Sequence, residues 1–563
     1  MITSSPALSA VLRWAPTTLL LAIGACAARP PATSRAGAPS GAAVATENAT
    51  ASHIAMEILK RGGRAADAAV AAAFALGVAV PVSSGIGGGG VALTWDARAK
   101  RLSALDFRET APSGAVAAEL EDAPPLGALV GVPGEVAGLL ELHAREGSRP
   151  LAELVEPAAT LAERGFPISP HLARALDKMS AHARRSPVLA QRFFVGSAPL
   201  AAGAVATNPE LGRTLRAIAA RGRDAFYTGE TAGKLADAVA REGGHLTAAD
   251  LAAYRVVERV PVRVRRGDRE LATMPPPSGG GLMLAQLATM FPPGDPALAA
   301  PDSAAWMHAL AEAMRGSFAD RLRKMGDPAF ADVDVSALAA PERMRARRAA
   351  IDPDKTRGIA SFVAEEHGTS HLVVVDREGS IVTLTTTVNG PFGARIVAGD
   401  TGVLLNDELG DFVRQKHASK VGVKDPPGGL RPGARPPTSM CPTIVFDGER
   451  PTLALGGSGG FRIATGVTQV ALRVLSGATA DAAVRAPRFH VPPDGSLVLE
   501  EGRADAATRT DLARRGERVK ESDAPAAVQA IELLHGSDGV TPRPVADPRK
   551  FGLALAEERP LRL

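Results

Sequence analysis

The stretch from Gly368 to Phe412 constrains this chain more than any other. It opens Gly368-Thr369-Ser370-His371, continues Leu372-Val373-Val374-Val375-Asp376 and turns through Arg377-Glu378-Gly379-Ser380. It resumes as Ile381-Val382-Thr383-Leu384-Thr385-Thr386-Thr387-Val388. Two runs rich in β-branched residues around a glycine-containing turn predict a β-hairpin. Thr369 then follows a glycine at the mouth of a buried strand. With the Gly368–Thr369 bond cut, Thr369 would carry both a hydroxyl and a free α-amine. Such an amine has a pKa of about 7.7–8.0, so one residue would supply nucleophile and base and need no distant histidine. Gly-Thr-Ser-His at a strand start is by itself ordinary, and only its company gives it meaning.

The chain has 563 residues, too many for one simple core. One large α/β unit or two entwined subunits are expected. Hydrophobic residues at 45% and charged residues at 22% fit a soluble globular protein. The net charge of +4 is small for this length, and the basic clusters Arg345-Ala346-Arg347-Arg348 and Arg265-Arg266-Gly267-Asp268-Arg269 are short. They read as solvated faces, and no nucleic-acid partner is expected. Cys26 and Cys441 are the two cysteines. A disulfide framework is excluded, and without CxxC or HExxH neither a metal nor a cofactor is expected.

Residues 1–25 read as a secretion signal, with Arg13 as a weak positive flank and Thr17–Ala25 as an apolar core too short to span a membrane. Ile23-Gly24-Ala25-Cys26 is similar to a bacterial lipobox, which makes Cys26 a lipidation candidate. Plain secretion with cleavage after Ala27 or Ala28 is the alternative. The protein is thus expected to be exported, periplasmic or lipid-anchored, touching a membrane only through that lipid. Residues 26–44, rich in Ala, Pro, Ser and Gly, read as a flexible tether.

The folded body is expected from about residue 45. Thr50 or Ser52 should cap a helix with Ile54, Ala55, Ile58 and Leu59 on one face, ended by Gly62-Gly63. Asp67–Ala79 is apolar nearly all round and should be a buried helix. The glycine run Gly85–Gly90 lacks the lysine of a phosphate loop and suits close backbone packing. A hairpin of Val91–Trp95 and Leu102–Phe107 follows, ending in Asp106-Phe107-Arg108-Glu109. Helices are predicted near Pro133–Gly147, Leu151–Arg164, His171–Phe194, Glu210–Arg221 and Thr231–Gly243, and strands at Val260–Arg265 and Glu270–Met274. Pro275–Gly281 leads into another helix. Residues 327–367 show weak pattern, and 413–435 read as loop. Leu453–Leu455 runs as a strand into Gly456-Gly457-Ser458-Gly459-Gly460 and a helix from Phe461 to about Leu475. No internal repeat is visible.

Arg108 at a strand end could grip a carboxylate with both arms of its guanidinium, or form an ordinary salt bridge. The run Gly456–Gly460 fits the G-x-S-x-G elbow of a serine hydrolase, with Asp481 and His490 downstream. It equally fits backbone N–H groups at a helix N-terminus aimed at a developing oxyanion.

Beyond the hairpin, the chain continues through Asn389-Gly390-Pro391-Phe392-Gly393 to Gly402–Asn406 and Asp407-Glu408-Leu409-Gly410-Asp411-Phe412. This whole run, with Asp-Phe-Arg-Glu-Thr-Ala-Pro at residues 106–112, resembles the γ-glutamyltranspeptidase family, and the resemblance extends with gaps from about Ala45 to near the C-terminus. It implies an α+β fold, a four-layer αββα N-terminal-nucleophile sandwich made by two subunits from one precursor, residues 45–368 and 369–563. It implies self-cleavage between Gly368 and Thr369, Thr369 as nucleophile with Thr387 orienting it, and Gly459 and Gly460 as oxyanion donors. Arg108, Thr438 and Ser439 would hold the donor's α-carboxylate, and Glu408, Asp411 and Asn389 its ammonium. Glutathione is the implied donor, with water or an amino acid or peptide as acceptor. The chain departs from the family pattern at Gly410 (often Asp), Thr438 (usually Ser) and Ser458 (often Pro or Ala), and its 413–437 segment has no aromatic residue with which to close a pocket. Three rivals are carried forward: an acylase for glutaryl-type amides, a serine hydrolase at Ser458, and a non-enzymatic envelope protein.

Overall fold

The computed structural model describes residues 41–357, 368–523, 525–537 and 539–557. The secretion signal, Cys26 and most of the tether lie outside the described residues. Thirteen strands make the two large sheets. In chain order they are β1 (Ala43–Thr46), β2 (Gly89–Asp96), β3 (Arg101–Phe107), β4 (Val257–Arg259), β5 (Val262–Arg266), β6 (Arg269–Thr273), β7 (Ser370–Val375), β8 (Ile381–Thr387), β9 (Thr443–Asp447), β10 (Arg450–Ser458), β11 (Ala527–Gly536), β12 (Gly539–Val545) and β13 (Leu553–Ala556). One sheet runs β13-β1-β7-β8-β2-β3-β4 and the other β12-β11-β10-β9-β6-β5, with antiparallel pairing throughout both.

The strand sequences explain why both faces of β7 and β8 are buried. Val373, Val375 and Ile381 pack with Leu271, Ile444, Leu455 and Val528 of the other sheet. The alternate residues Leu372, Val374, Val382 and Leu384 pack with Val70, Phe74 and Leu76 of a helix, α2 (Ala65–Ala79), which follows α1 (Ala49–Lys60). Every residue of α2 is buried, as its all-round apolar sequence requires. Three further helices, α3 (Gly279–Met290), α4 (Ala304–Lys324) and α5 (Arg462–Leu475), share a third apolar cluster through Leu287, Leu310, Met314 and Leu472. The fold is therefore a mixed α/β one.

Most predicted elements stand within two residues of their expected bounds, including the helix Leu151–Arg164 and the hairpin β2–β3. The cap of α1 is Asn48, not Thr50 or Ser52: its Oδ1 accepts from Thr50 N at 2.9 Å and Ala51 N at 3.2 Å. The expected long helix His171–Phe194 is three short ones, Pro170–Lys178, Ser180–Ala183 and Pro187–Phe193; the last starts afresh because Pro187 cannot donate its backbone to a continuing helix. Residues 327–357 hold two short helices, Val335–Leu338 and Pro341–Ala349, where only weak pattern was read.

The longest helix, α4, escaped the sequence reading. Its buried face carries His308, Glu312 and Arg315, which flatten the apolar periodicity. They are paired internally. His308 Nδ1 lies 2.7 Å from Glu517 Oε1, and Arg315 Nη1 lies 2.6 Å from Glu312 and 3.1 Å from Glu517. Glu312 also accepts from Thr356 Oγ1 at 2.7 Å, so the network ties residues before the candidate cleavage point to residues after it. Removing one partner of a buried pair strands the other charge, at a cost of about 3–5 kcal/mol. Glu517→Ala should therefore lower the melting temperature by several degrees, whereas Glu521→Ala, exposed on the strand Val519–Ser522 just beyond it, should leave it within a degree or so. Equal melting of both variants in a calorimetric scan would refute the network's role.

Candidate active site

The register of the hairpin places the candidate nucleophile. Ser370 pairs with Thr386, so Thr369 comes opposite Thr387. The Thr369 hydroxyl donates to the carbonyl oxygen of Gly368, and Thr387 Oγ1 donates to the same oxygen at 3.0 Å. Thr387 Oγ1 in turn accepts from Asn389 N at 2.7 Å. Two hydroxyls thus converge on the carbonyl of the bond read as scissile. Gly368 adopts φ +70, and a Cβ there would run into Asn389 O and stand 3.3 Å from Val82 O. Only glycine fits this position.

From Asn389 the site continues without a break. Asn389 has φ +68, a conformation asparagine tolerates, and its Nδ2 donates to Asp407 O at 3.2 Å. Its Oδ1 is left as the acceptor end. Asp407 accepts from Gly390 N at 2.7 Å and leads into a single 3-10 turn, Glu408–Asp411. Burial raises the Asp407 carboxyl to about 6 against the Gly390 N–H. Gly410 leaves room on this turn, since a Cβ there would stand 3.7 Å from Asn389 Nδ2 and 3.9 Å from Leu129.

Arg108 meets that turn from the end of β3. Its guanidinium bonds Glu408 through Nη1 and Asp411 through Nη2, and all three side chains are buried. Nε and Nη2 also reach Pro436 O at 3.4 Å and Pro437 O at 3.3 Å, which brings Arg108 against the segment entering Thr438-Ser439. The strand end is fixed from behind. Arg108 N donates to Asp106 Oδ1 at 3.0 Å, Tyr254 Oη donates to Arg108 O at 2.8 Å, and Arg259 holds Asp106 at 2.6 Å. Burial pushes Glu408 well above the ordinary carboxylate range, with Arg108 opposing. Glu109 also lies 3.9 Å from Arg108; burial raises its carboxyl to about 8, again against Arg108. One cation therefore faces three acidic side chains.

Thr438 and Ser439 run beside Ser278–Gly280, the cap and first turn of α3. Gly279 N donates to Thr438 O at 2.7 Å, and the Ser278 hydroxyl bonds Met440 O at 2.6 Å. The Ser439 hydroxyl accepts from Arg321 Nη1 at 2.5 Å, and the Thr438 hydroxyl accepts from Met440 N at 3.2 Å. The segment after Phe412 is not all loop: it holds a short helix, Gln415–Ser419, tied down by Glu121 at 2.7 Å from Gln415 N.

The glycine turn approaches from the other sheet. β10 ends at Ser458, Gly459 and Gly460 take φ +122 and +63, and α5 begins at Arg462. Positive φ at both positions presents bare backbone at a helix start. The Ser458 hydroxyl has no histidine beside it; it sits against Glu47. His490 Nδ1 is 3.0 Å from Thr465 Oγ1, and Asp481 pairs with Arg485 at 2.8 Å. The Ser458–His490–Asp481 triad required by a serine hydrolase is not assembled.

Two residues near Thr369 went unread in the sequence. Lys550 Nζ donates to Thr369 O at 2.7 Å and to Glu47 Oε2 at 3.0 Å. Glu47 follows β1 and Lys550 lies in the 3-10 turn Pro548–Lys550, and neither carries a local motif to mark it.

The family model described as gamma-glutamyltranspeptidase matches residues 51–556. A glutathione hydrolase proenzyme of Bacillus subtilis strain 168 is 34% identical over 546 residues, covering 91% of each chain. Among solved structures, a cephalosporin acylase from Bacillus halodurans superposes with a TM-score of 0.82 at 26% identity, over 94% of this chain and 99% of its own. A gamma-glutamyltranspeptidase from Pseudomonas nitroreducens complexed with L-DON matches at 34% identity and a TM-score of 0.51, over 55% of this chain and 94% of its own.

Because the Ser458 hydroxyl sits against Glu47 while His490 bonds Thr465 and Asp481 pairs with Arg485, Ser458→Ala should leave turnover of an acyl anilide within about threefold of the unsubstituted protein. A serine nucleophile would instead lose about a millionfold.

Proposed function

The chain belongs to the γ-glutamyltranspeptidase family, and on that premise we propose that it is a self-processing enzyme that moves or hydrolyses γ-glutamyl groups, with Thr369 as nucleophile. The carrying observation is the convergence of the Thr369 and Thr387 hydroxyls on the Gly368 carbonyl oxygen. In processing, Thr369 Oγ attacks the Gly368 carbonyl carbon while Thr387 stabilises the charge developing on its oxygen. The C–N bond breaks, the acyl group passes to Oγ as an ester, and the released nitrogen takes up the hydroxyl's proton to become the α-amine of Thr369. Water then hydrolyses the ester, leaving residues 45–368 and 369–563 as two subunits of one four-layer αββα sandwich.

In turnover the Thr369 hydroxyl attacks the γ-carbonyl of a donor such as glutathione and passes its proton to the α-amine. Gly459 and Gly460 N–H groups receive the oxyanion. The γ-glutamyl C–N bond breaks, the leaving amine takes the proton, and water or an amino-acid or peptide amine releases the acyl group in the reverse sense. The donor's ammonium would pair with Glu408 and Asp411 and bond Asn389 Oδ1. Its carboxylate would lie on Arg108, with Thr438 and Ser439 beside it. A glutaryl-type acyl group, the substrate of the acylase alternative, lacks that ammonium. Export, and lipid attachment at Cys26, belong to the same proposal and rest on residues 1–26 alone.

Purified protein should give two bands on a denaturing gel, the smaller beginning Thr-Ser-His. Thr387→Val should slow that cleavage by about 10²–10³, the usual loss of one oxyanion donor. A chain that stays whole after long incubation would falsify the Thr369 assignment.

Arg108→Ala and Asp411→Ala should lower kcat/KM for a γ-glutamyl anilide at least about ten- to a hundredfold, the worth of one charge-assisted contact. Asp411→Asn should narrow the preference for γ-glutamyl over glutaryl anilide. If that ratio does not move, or if the unsubstituted enzyme prefers glutaryl, the acylase reading replaces this one.

A further inference from the structure

Three strands end together beside Thr369. In the β13-β1-β7 part of the sheet, Thr46 pairs with Leu553 on one side and Leu372 on the other. The residue after β1, the turn before β13 and the residue before β7 are therefore brought to one edge. They are Glu47, Lys550 and Thr369. Lys550 Nζ donates to Thr369 O at 2.7 Å and to Glu47 at 3.0 Å, and both charged side chains are largely buried.

The turn that carries Lys550 is held rigidly. Asp547 accepts from Val528 N at 2.8 Å, pairs with Arg488 at 2.6 Å and caps the 3-10 turn Pro548–Lys550. Arg549 points away, to Glu500 at 2.7 Å. Lys550 is thus delivered to Thr369 by a clamped backbone.

We propose that Lys550 is a positioning residue for the acyl transfer: it fixes the Thr369 carbonyl and places a cation close enough to the Thr369 α-amine to keep that amine neutral at physiological pH. The inference rests on the reading of Thr369 as an N-terminal nucleophile. The amine nitrogen is three bonds from the carbonyl oxygen, so Nζ lies within about 6 Å of it. At that distance and an effective dielectric of about 20, a like charge lowers an amine's pKa by roughly two units, which the opposing Glu47 charge would reduce to about one. A free α-amine titrates at about 7.7–8.0, so this shift converts a mostly protonated group into a mostly available base.

The other groups facing the pair are few. Asp547 and Ser458 act on Glu47 beside Lys550, Lys550 and Arg174 act on His171, and Thr387 bonds the Gly368 carbonyl next to Thr369. Burial, with Lys550 and Arg174 adding to it, holds His171 at about 3, so it stays neutral through the working range. Asp407 reaches Gly390 N and not the amine.

The test uses the full processed enzyme and the pH profile of kcat/KM for a γ-glutamyl anilide. The activity rises as the amine loses its proton, so removing the neighbouring cation must move that acid limb upward. Lys550→Gln should shift it by about one pH unit while leaving the rate near pH 9 within a fewfold. Lys550→Arg, which keeps the charge, should restore the limb. A Lys550→Gln enzyme that is processed normally but whose limb stays in place, with only its plateau lowered, would show a purely structural lysine. An unprocessed Lys550→Gln chain beside a normally processed Lys550→Arg chain would place the charge at self-cleavage and overturn the proposal as stated. Failure of the underlying reading shows separately, in the N-terminal sequence of the unsubstituted small band.

Discussion

The arrangement around Thr369 depends on one run of backbone hydrogen bonds, the antiparallel pairing of β7 with β8. Side chains alternate across a strand, so register decides which threonine serves which face. At the observed register Thr387 lies opposite Thr369, and Thr383 and Thr385 turn to the buried His371, at 3.1 and 2.8 Å. A slip of one residue would bring Thr386 or Val388 opposite Thr369 and turn these threonines to the other face of the sheet. The neighbouring β2 secures the register from the other side, where Thr387 pairs with Gly89. A side chain on Gly88 would overlap Thr387 O, so the glycine run serves close backbone packing.

The charge balance beside this hairpin follows from burial. Glu408, Asp411 and Glu109 share one guanidinium in a site with little solvent. Carboxylates in such a place must find a cation or take up a proton, and here Arg108 serves as their common partner. A ligand carrying an ammonium and a carboxylate on one carbon can exchange partners with this cluster. Its carboxylate takes Arg108, its ammonium takes the acids, and no charge is left buried alone. A ligand with the carboxylate only would draw Arg108 away from Glu408 and Asp411 and add a further anion. On the proposed reading, discrimination would come from the charge that remains behind as much as from the contact that forms.

Several of the residues proposed for the site sit next to the end of a strand. Arg108 closes β3, Thr369 opens β7, Glu47 follows β1 and the glycine turn joins β10 to α5. Strand ends leave the sheet's hydrogen-bond ladder, so their side chains and backbone groups are available for chemistry while the ladder holds them still.

By itself the sequence determined the local elements and the separate pieces of the site. The β-branched runs specified the hairpin, and the all-round apolar run specified α2. Thr369, Arg108, Glu408, Asp411 and the glycine turn could be singled out because their motifs together resemble one family, although each alone is ordinary. The helix α4 could not, since His308, Glu312 and Arg315 interrupt its apolar period and find partners in distant segments, Glu517, Asp352, Gly495 and Thr356 among them. Nor could the closure of Arg108 on Glu408 and Asp411, or the meeting of Lys550 with Glu47 and Thr369. These pairs join residues hundreds of positions apart, and nothing in either segment encodes the other. Sheet order and register bring them together, and those are set by how the whole core packs; only the tertiary structure could decide them.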